Sequence, residues 1–181
     1  TGSAGFIGFS FCKYLLENKK IKIIGVDNLN NYYDPKLKME RLKILKKYNS
    51  FKFYKIDICS REKIKNLFKN NKFDFVFHFA AQAGVRYSIN HPKEYIDTNV
   101  LGFFNIIENC SNYNVKRFFY ASSSSIYGEN KNFPLDEKEI VKPKNIYALS
   151  KKINEDISLI FNKYYKLKST GLRFFTVYGE W

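Results

Sequence analysis

The sequence predicts an α/β protein with a doubly wound parallel sheet. Short apolar runs alternate with amphipathic helical stretches along the chain, and strands separated by helices are joined by right-handed crossovers into a parallel sheet. Small or chemically active residues also follow successive predicted strands, at the end of the sheet where such folds bind ligands. These residues are Asp27, Asp57, Ala80, Ser123 and Phe175.

Composition indicates one globular domain over residues 1–181. The chain is 45% hydrophobic and 18% aromatic, which is enough for a sizeable core. It has no apolar run long enough to span a bilayer and no signal-peptide pattern, so we expect a soluble, cytoplasmic protein that does not bind a membrane. Its three cysteines are widely spaced, which suits a reducing compartment and predicts no disulfide.

The formal net charge of +14 raises the question of a nucleic-acid partner. The excess is almost all lysine, scattered over predicted helix faces and loops without an arginine-rich aromatic stripe. Such scatter is more typical of overall coding bias than of a binding surface. We therefore expect no nucleic-acid partner; a nucleic-acid binder would show steeply salt-dependent affinity for DNA.

The chain opens with a glycine-rich turn, TGSAGFIG, at positions 1–8. Glycines at positions 2, 5 and 8 allow a sharp turn, a close approach to a pyrophosphate and tight packing of the next helix, whose N-terminus supplies amide donors. That helix is predicted to run to about Glu17. Since the motif needs a strand directly before it, we expect this sequence to be a fragment without the first, central strand.

The next strand is predicted from Ile21 to Val26, and it ends at Asp27, about 20 positions beyond the glycines. A carboxylate at this spacing accepts hydrogen bonds from an adenosine ribose and repels a 2′-phosphate. The pattern therefore favours NAD over NADP.

The remaining elements follow in chain order. Predicted helices cover 37–48, 60–69, 93–110 and 147–165, and predicted strands cover 51–56, 75–79, 117–121 and 169–175. Polar or proline-containing loops are predicted at 28–35, 80–91 and 127–145. The helix at 93–110 has more apolar residues than one buried face needs, so we expect a mixture of core and interface there.

The stretch Tyr147-Ala148-Leu149-Ser150-Lys151 lies in the last predicted helix, where residues four apart share one face. The Tyr147 phenol and the Lys151 ammonium are therefore neighbours, and we expect the positive charge to lower the pKa of the phenol toward the working range. The phenolate would accept a proton from a substrate hydroxyl. A serine hydroxyl from the run at 122–125 is expected to form a hydrogen bond with that same substrate oxygen. Tyr and Lys four apart also occur by chance in a chain rich in both.

The two histidines have ordinary structural interpretations. His78 lies in a predicted strand between two phenylalanines, and His91 precedes Pro92 at a helix start. Neither has metal-ligand neighbours in the sequence, so no metal site is predicted.

Six segments together resemble the extended short-chain dehydrogenase/reductase superfamily, in particular its nucleotide-sugar epimerases and most closely the UDP-glucuronate 4-epimerases. They are TGSAGFIG at the start, DNLNNYYD from Asp27, AAQAGVRYS from Ala80, YASSSSIYG from Tyr120, YALSK from Tyr147 and LRFFTVYG from Leu172. TGSAGFIG and YALSK occur in very many proteins. AAQAGVRYS, YASSSSIYG and LRFFTVYG together are specific to a small group of relatives. The resemblance implies a Rossmann-like fold, and a chain that stops before the C-terminal substrate lobe of that family.

The resemblance also implies a role for each matched residue. Ser123, Tyr147 and Lys151 would be catalytic. The cofactor, NAD, would be bound by Gly2, Gly5, Phe6, Ile7, Gly8, Asp27, Asn28, Asp57, Ile58, Ala80, Ala81, Ala83, Asn99, Tyr147, Lys151 and Phe174. The UDP-sugar would contact Arg86, Ser123, Ser124, Ser125, Tyr147 and Thr176. For Arg86, an ordinary surface-loop arginine is an equally open interpretation.

Ser124 and Ser125 discriminate between the activities found in the superfamily. Nucleotide-sugar 4,6-dehydratases place Asp-Glu at these positions, and decarboxylating UDP-xylose synthases keep a Glu there. With serines instead, the resemblance implies reversible oxidation at C4, which converts UDP-glucuronate to UDP-galacturonate with NAD retained. The full-length protein would be a homodimer, and this fragment alone is expected to be inactive. The sugar stays open among UDP-glucuronate, UDP-galacturonate and neutral UDP-sugars. The alternative activities are those of a dehydratase or decarboxylase of the same superfamily, or of a non-catalytic NAD-binding regulator.

Overall fold

The computed structural model describes residues 1–130 and 133–180. Positions 131, 132 and 181, which belong to the predicted domain and in part to the predicted loop 127–145, lie outside the described residues. No helix within the described ranges combines the length and the apolar character needed to cross a membrane.

Helices and strands alternate along the chain. The helices are α1 (Phe6–Asn18), α2 (Pro35–Leu45), α3 (Arg61–Lys69), α4 (Tyr87–Asn90), α5 (Pro92–Tyr95), a π-helical segment (Ile96–Gly102), α6 (Phe103–Asn112), a 3₁₀ turn (Ser124–Tyr127) and α7 (Ile146–Tyr165). The strands are β1 (Ile23–Asp27), β2 (Phe51–Lys55), β3 (Phe75–His78), β4 (Arg117–Ser123) and β5 (Ser169–Phe174).

All strand pairs of the described residues are parallel, which confirms the predicted α/β class. β1 pairs with β2, with Asp27 opposite Lys55 at the carboxyl end. β3, β4 and β5 form a second sheet in that order, with Ser123 opposite Phe174. The carboxyl ends of β3, β4 and β5 therefore meet along one edge, where the predicted site residues begin.

A groove separates β1 from β3, and its cavity volume is ≈ 580 Å³. Residues 1–3 bridge the carboxyl end of this groove. The Thr1 ammonium donates to the Phe77 carbonyl at 2.7 Å, and the Ser3 amide donates to the Val26 carbonyl at 3.2 Å. One further parallel strand in the groove would pair with both edges and unite the two sheets.

Two hydrophobic clusters hold the layers together. The first joins α1, α2 and the β1–β2 sheet through Phe9, Leu42, Leu45 and Phe51. The second packs α3, α6 and α7 against β3 and β4, and its members include Ile64, Phe103, Ile106, Ile107, Phe118 and Phe161. Burial of these side chains supplies the main favourable free energy of folding.

The interpretation of His78 as a packed core residue is confirmed. Its ring contacts the rings of Phe103 and Phe118, and its Nδ1 shares a hydrogen bond of 2.8 Å with the Thr1 hydroxyl. Burial lowers the pKa of His78 well below its ordinary value, so the ring is neutral at pH 7. On the predicted 93–110 helix, Phe103 is buried while Phe104 is partly exposed.

Three predicted boundaries were wrong in informative ways. The single helix at 93–110 is divided into α5, the π-helical segment and α6, because an inserted residue in a helix leaves little trace in the apolar spacing. The loop at 80–91 contains the short helix α4. The strand at 117–121 continues to Ser123, since β4 keeps its ladder with β5 as far as Phe174.

Candidate cofactor and active site

The glycine turn has a geometry that side chains would obstruct. Gly2 has φ +71°, and a Cβ there would lie 2.7 Å from the Ala80 nitrogen. A Cβ at Gly8 would lie 2.1 Å from the Gly2 carbonyl oxygen. Helix α1 then begins at Phe6 without a side-chain cap at Gly5, so its first amides are available to a ligand. The turn therefore fits an anionic group such as a pyrophosphate.

Asp27 ends β1 beside this turn and is only 8% exposed. Its carboxylate accepts hydrogen bonds from the Ala4 amide at 3.1 Å and from the Leu29 amide at 2.9 Å. It thus braces the glycine turn, a function that the sequence pattern did not reveal. Two oxygens offer about four acceptor positions, so capacity remains for the ribose hydroxyls that the sequence predicts.

Asn28 and Asp57 form a polar pair at the carboxyl ends of β1 and β2. The Asn28 amide donates to the Asp57 carboxylate at 2.9 Å, and the Cys59 backbone amide donates to its other oxygen at 2.8 Å. Burial acts to raise the pKa of Asp57, but these hydrogen bonds prevail and lower it. Ile58, which follows Asp57, is buried. Asn28 and Asp57 therefore lie at the strand ends where the adenosine is predicted, whereas Ile58 packs into the second hydrophobic cluster.

Asn99 lies in the π-helical segment and is 1% exposed. Its carboxamide accepts from the Gln82 amide at 2.7 Å and donates to the Gln82 carbonyl at 3.0 Å, which fixes the loop that contains Ala80, Ala81 and Ala83. It also donates to the Ser150 hydroxyl at 3.1 Å, and Ser150 donates to the Tyr147 carbonyl at 2.7 Å. Asn99 therefore joins this loop, the predicted cofactor loop, to the helix that carries Tyr147.

Ser123 is the last residue of β4 and is buried. Its hydroxyl oxygen accepts a hydrogen bond from the Ser125 amide at 3.1 Å, which caps the 3₁₀ turn. A hydrogen bond with Ser123 acts to lower the pKa of Tyr147, which indicates that the Ser123 hydroxyl lies near the phenol. The capping role was not expected from the sequence, and it holds Ser123 in place beside the phenol.

Lys151 is 3% exposed, and its ammonium donates to the Ala121 carbonyl at 2.9 Å. The same ammonium lies 5.9 Å from the centre of the Tyr147 ring. Burial lowers the pKa of Lys151 to about 8. The predicted proximity of Tyr147 and Lys151 is therefore present in the structure.

The expected lowering of the Tyr147 pKa is wrong for the structure as described. Burial raises the pKa of Tyr147, and the hydrogen bond with Ser123 offsets this only in part. Burial lowers the pKa of Lys151 to about 8, so its ammonium still carries a charge at pH 7. A further positive charge next to the phenol would favour the phenolate.

The predicted substrate residues are less buried than Ser123 and Lys151. Arg86 and Thr176 are exposed, while Ser124 and Ser125 are half-buried in the 3₁₀ turn. Phe174 ends β5 beside Ser123. Ser124 and Ser125 follow β4 and Thr176 follows β5, so these three residues lie at the carboxyl edge of the second sheet.

Tyr95 is a residue that the sequence analysis missed. Its hydroxyl approaches the carbonyls of Ala83 and Gly84, both at 2.6 Å, and its ring meets the edge of Tyr147 with ring centres 6.1 Å apart. It supports the predicted cofactor loop and contacts one side of the Tyr147 ring. No sequence pattern distinguishes it from the 13 other tyrosines of the chain.

A parallel α/β fold with a glycine turn and an acidic residue at the next strand end defines a dinucleotide-binding protein class. Within that class, the chain belongs to the NAD dependent epimerase/dehydratase family, whose family model matches residues 1–181.

Named relatives cover the same region. UDP-glucuronate 4-epimerase 4 of Arabidopsis thaliana is 43% identical over all of this chain and 41% of its own length. UDP-glucuronic acid 4-epimerase of Bacillus cereus, solved in complex with UDP-glucuronic acid and NAD, matches 98% of this chain and 56% of that chain with TM-score 0.91 and 30% identity. UDP-glucose 4-epimerase of Thermotoga maritima, solved with UDP-glucose, matches 98% of this chain and 55% of that chain with TM-score 0.87 and 36% identity. The chain thus spans about half the length of these relatives.

Proposed function

We propose that residues 1–181 form the NAD-binding domain of an enzyme that interconverts UDP-sugars by inverting C4, with UDP-glucuronate and UDP-galacturonate as the substrate pair. The observation that carries the proposal is the arrangement of Ser123, Tyr147 and Lys151 beside the cofactor loop. Both catalytic side chains of the Tyr-Lys pair are present, which disfavours a non-catalytic regulator.

The cofactor proposal rests on the fit of the glycine turn and the strand ends to a dinucleotide. Amides at the start of α1 suit the pyrophosphate, and Asp27 and Asn28 suit the adenosine ribose. Asp57 and Ile58 would border the adenine, and Ala80, Ala81, Ala83, Asn99 and Phe174 would line the rest of the cofactor pocket. Bound there, NAD would act as the hydride acceptor and then the hydride donor for C4, and its positive nicotinamide ring would favour the Tyr147 phenolate.

In the proposed reaction, Tyr147 accepts the proton of the C4 hydroxyl and later returns it. Lys151 stabilises the phenolate through its charge, and Ser123 orients the same substrate oxygen. The C4 carbon is oxidised to a ketone, the 4-keto sugar turns over, and reduction on its other face gives the inverted hydroxyl. Since the net change in redox state is zero, the cofactor must stay bound throughout.

The choice of UDP-glucuronate rests on Ser124, Ser125 and Thr176. Ser124 and Ser125 follow β4, and Thr176 follows β5, whose last residue is paired with Ser123. From these positions their hydroxyls would donate hydrogen bonds to a C6 carboxylate. Arg86 is the proposed contact for another anionic group of the substrate. Serines at positions 124 and 125 provide no second acid and base, which favours epimerisation over dehydration or decarboxylation. The 36% identity to a UDP-glucose 4-epimerase makes a neutral sugar the second candidate.

We also propose that the complete protein is a homodimer. Leu101 and Phe104 on the long helical stretch, and Leu159 and Ile160 on α7, expose 36 to 69% of their surfaces. An apolar face shared by two neighbouring helices suits a two-fold helical interface.

The proposal is tested by incubating the complete protein with UDP-glucuronate, UDP-galacturonate, UDP-glucose or UDP-N-acetylglucosamine and separating the products. We expect each uronate to give a mixture of both uronates without added NAD. Conversion of UDP-glucose but not of UDP-glucuronate would favour the second candidate. Release of carbon dioxide, or a dehydrated product, would reject epimerisation.

A further inference from the structure

A second group of polar side chains lies behind the catalytic residues. Glu155 is on α7, one helical turn beyond Lys151. One of its carboxylate oxygens accepts from the Ser122 hydroxyl at 2.6 Å and from Arg173 Nε at 3.0 Å, and the other accepts from Arg173 Nη2 at 2.9 Å. The Glu155 and Arg173 side chains are only 14% and 20% exposed. This is a bidentate ion pair with little access to water.

The contacts of Glu155 fix α7 to the end of β4. Lys151 donates to the carbonyl of Ala121, and Glu155 accepts from Ser122, the next residue along the strand. Ser122 directly precedes Ser123. A displacement of α7 along β4 would therefore break both contacts and change the distance between Ser123 and Tyr147.

Arg173 extends the same network to the 3₁₀ turn. Its Nη1 donates to the Tyr127 hydroxyl at 3.0 Å and to the Glu137 carbonyl at 3.1 Å, and its guanidinium lies 5.0 Å from the centre of the Tyr127 ring. Tyr127 ends the turn that contains Ser124 and Ser125. In β5, Arg173 is paired with Ser122. One guanidinium thus contacts the helix of the tyrosine and the turn of the proposed substrate residues.

Stability alone does not explain such a pair. A buried ion pair gains little over well-packed apolar side chains of similar volume, because desolvation offsets the attraction between the charges. Its bidentate geometry instead specifies distance and orientation. The hydrogen bond to Glu155 also raises the pKa of Arg173, so its charge is permanent.

We propose that Glu155 and Arg173 are positioning residues that set the separation between Ser123 on β4 and the Tyr147–Lys151 pair on α7. Their catalytic effect rests on the proposed epimerase function. Their geometric effect on Tyr147 does not, because it is a property of the folded domain.

The kinetic test uses the complete protein with UDP-glucuronate. We expect Glu155→Gln to lower kcat about 10- to 100-fold, because displacing a catalytic group by about 1 Å can cost about 100-fold in rate. KM and the bound NAD content should change less than about threefold, since neither residue contacts the proposed ligands. Asp156→Asn is the matched control, as it breaks the neighbouring Lys152–Asp156 pair on the surface of α7 and should leave kcat unchanged.

The second test needs no substrate. With ¹³C-labelled tyrosine, NMR titration gives the pKa of Tyr147, and Tyr147→Phe identifies its signal. Ser122→Ala removes one hydrogen bond between β4 and Glu155 without altering any charge, so a change of at least about 0.5 in the Tyr147 pKa there reports geometry. Ser122→Ala also tests the proposal if Glu155→Gln does not fold. Asp156→Asn should leave the Tyr147 pKa unchanged.

The outcomes separate the two proposals. If the complete protein converts no UDP-sugar, the proposed function is wrong, and the Tyr147 titration alone decides the positioning role. An unchanged Tyr147 pKa in Ser122→Ala, together with kcat in Glu155→Gln equal to that of Asp156→Asn, would overturn it. A drop in melting temperature with both readouts unchanged would show a purely structural pair, and would overturn it equally.

Discussion

Replacing Lys151 with Met should make the stability of the domain less dependent on pH. Lys151 is 3% exposed, and burial lowers its pKa from 10.5 to about 8. A difference of about 2.5 in pKa corresponds to about 3 kcal/mol, at roughly 1.4 kcal/mol for each pH unit. Folding therefore carries this cost wherever the buried ammonium is charged.

The sign follows from proton binding. Between pH 8 and pH 10.5 the unfolded chain keeps its lysine proton while the folded chain has lost it, so the contribution of Lys151 to stability rises with pH in that window. Below pH 8 both states are protonated and the cost is fully present. The free energy of unfolding of wild type minus that of Lys151→Met should therefore rise by about 3 kcal/mol from pH 7.5 to pH 10.5.

The assay is urea denaturation of the complete protein at several pH values, with each variant compared with wild type so that other titrating groups cancel. Lys163→Met is the matched control, because it removes an exposed ammonium from the same helix. Its difference from wild type should be flat with pH. If the difference in free energy of unfolding between wild type and Lys151→Met is also independent of pH, the conclusion that burial lowers the pKa of Lys151 is refuted.

Two other substitutions, and the expression of residues 1–181 alone, have expected results that a single measurement can contradict. Tyr147→Phe should lower kcat at least about 100-fold while NAD stays bound, because proton transfer is lost and the ring remains; undiminished turnover would reject the catalytic role of Tyr147. Gly2→Ala should abolish NAD retention, measured by the nucleotide content of the purified protein, since φ is +71° and the new Cβ would lie 2.7 Å from the Ala80 nitrogen. Normal NAD content in that variant would contradict the geometry of the turn. Residues 1–181 expressed alone should aggregate, because β1 and β3 present unpaired edges to the groove between them; a sharp cooperative melt would count against this.

Local patterns were sufficient for the fold class and for most elements. The β1 and β4 strands and the α7 helix were predicted from apolar spacing to within two residues of each boundary. The positions of Tyr147 and Lys151 on one helix face followed from the helical period. Sequence periodicity is informative here because each of these elements buries one face or both.

Tertiary properties of the site could not be predicted in the same way. The pKa of Tyr147 depends on how deeply both it and Lys151 are buried, and the charge rule used for the sequence assumed a solvated lysine. Asn99 braces the loop at Gln82 from 17 residues away, and Arg173 reaches Glu155 from 18. Such pairs have no local spacing rule, so only the folded chain identifies them.

The hydride transfer itself can be followed with UDP-glucuronate that carries deuterium at C4. We expect the complete protein to form UDP-galacturonate that keeps the deuterium at C4, with no label in the solvent, because a bound NAD takes the hydride and returns it to the same carbon. Tyr147→Phe should form labelled product at least about 100-fold more slowly. Loss of the C4 label to water during turnover would contradict reversible oxidation beside Tyr147 and Lys151.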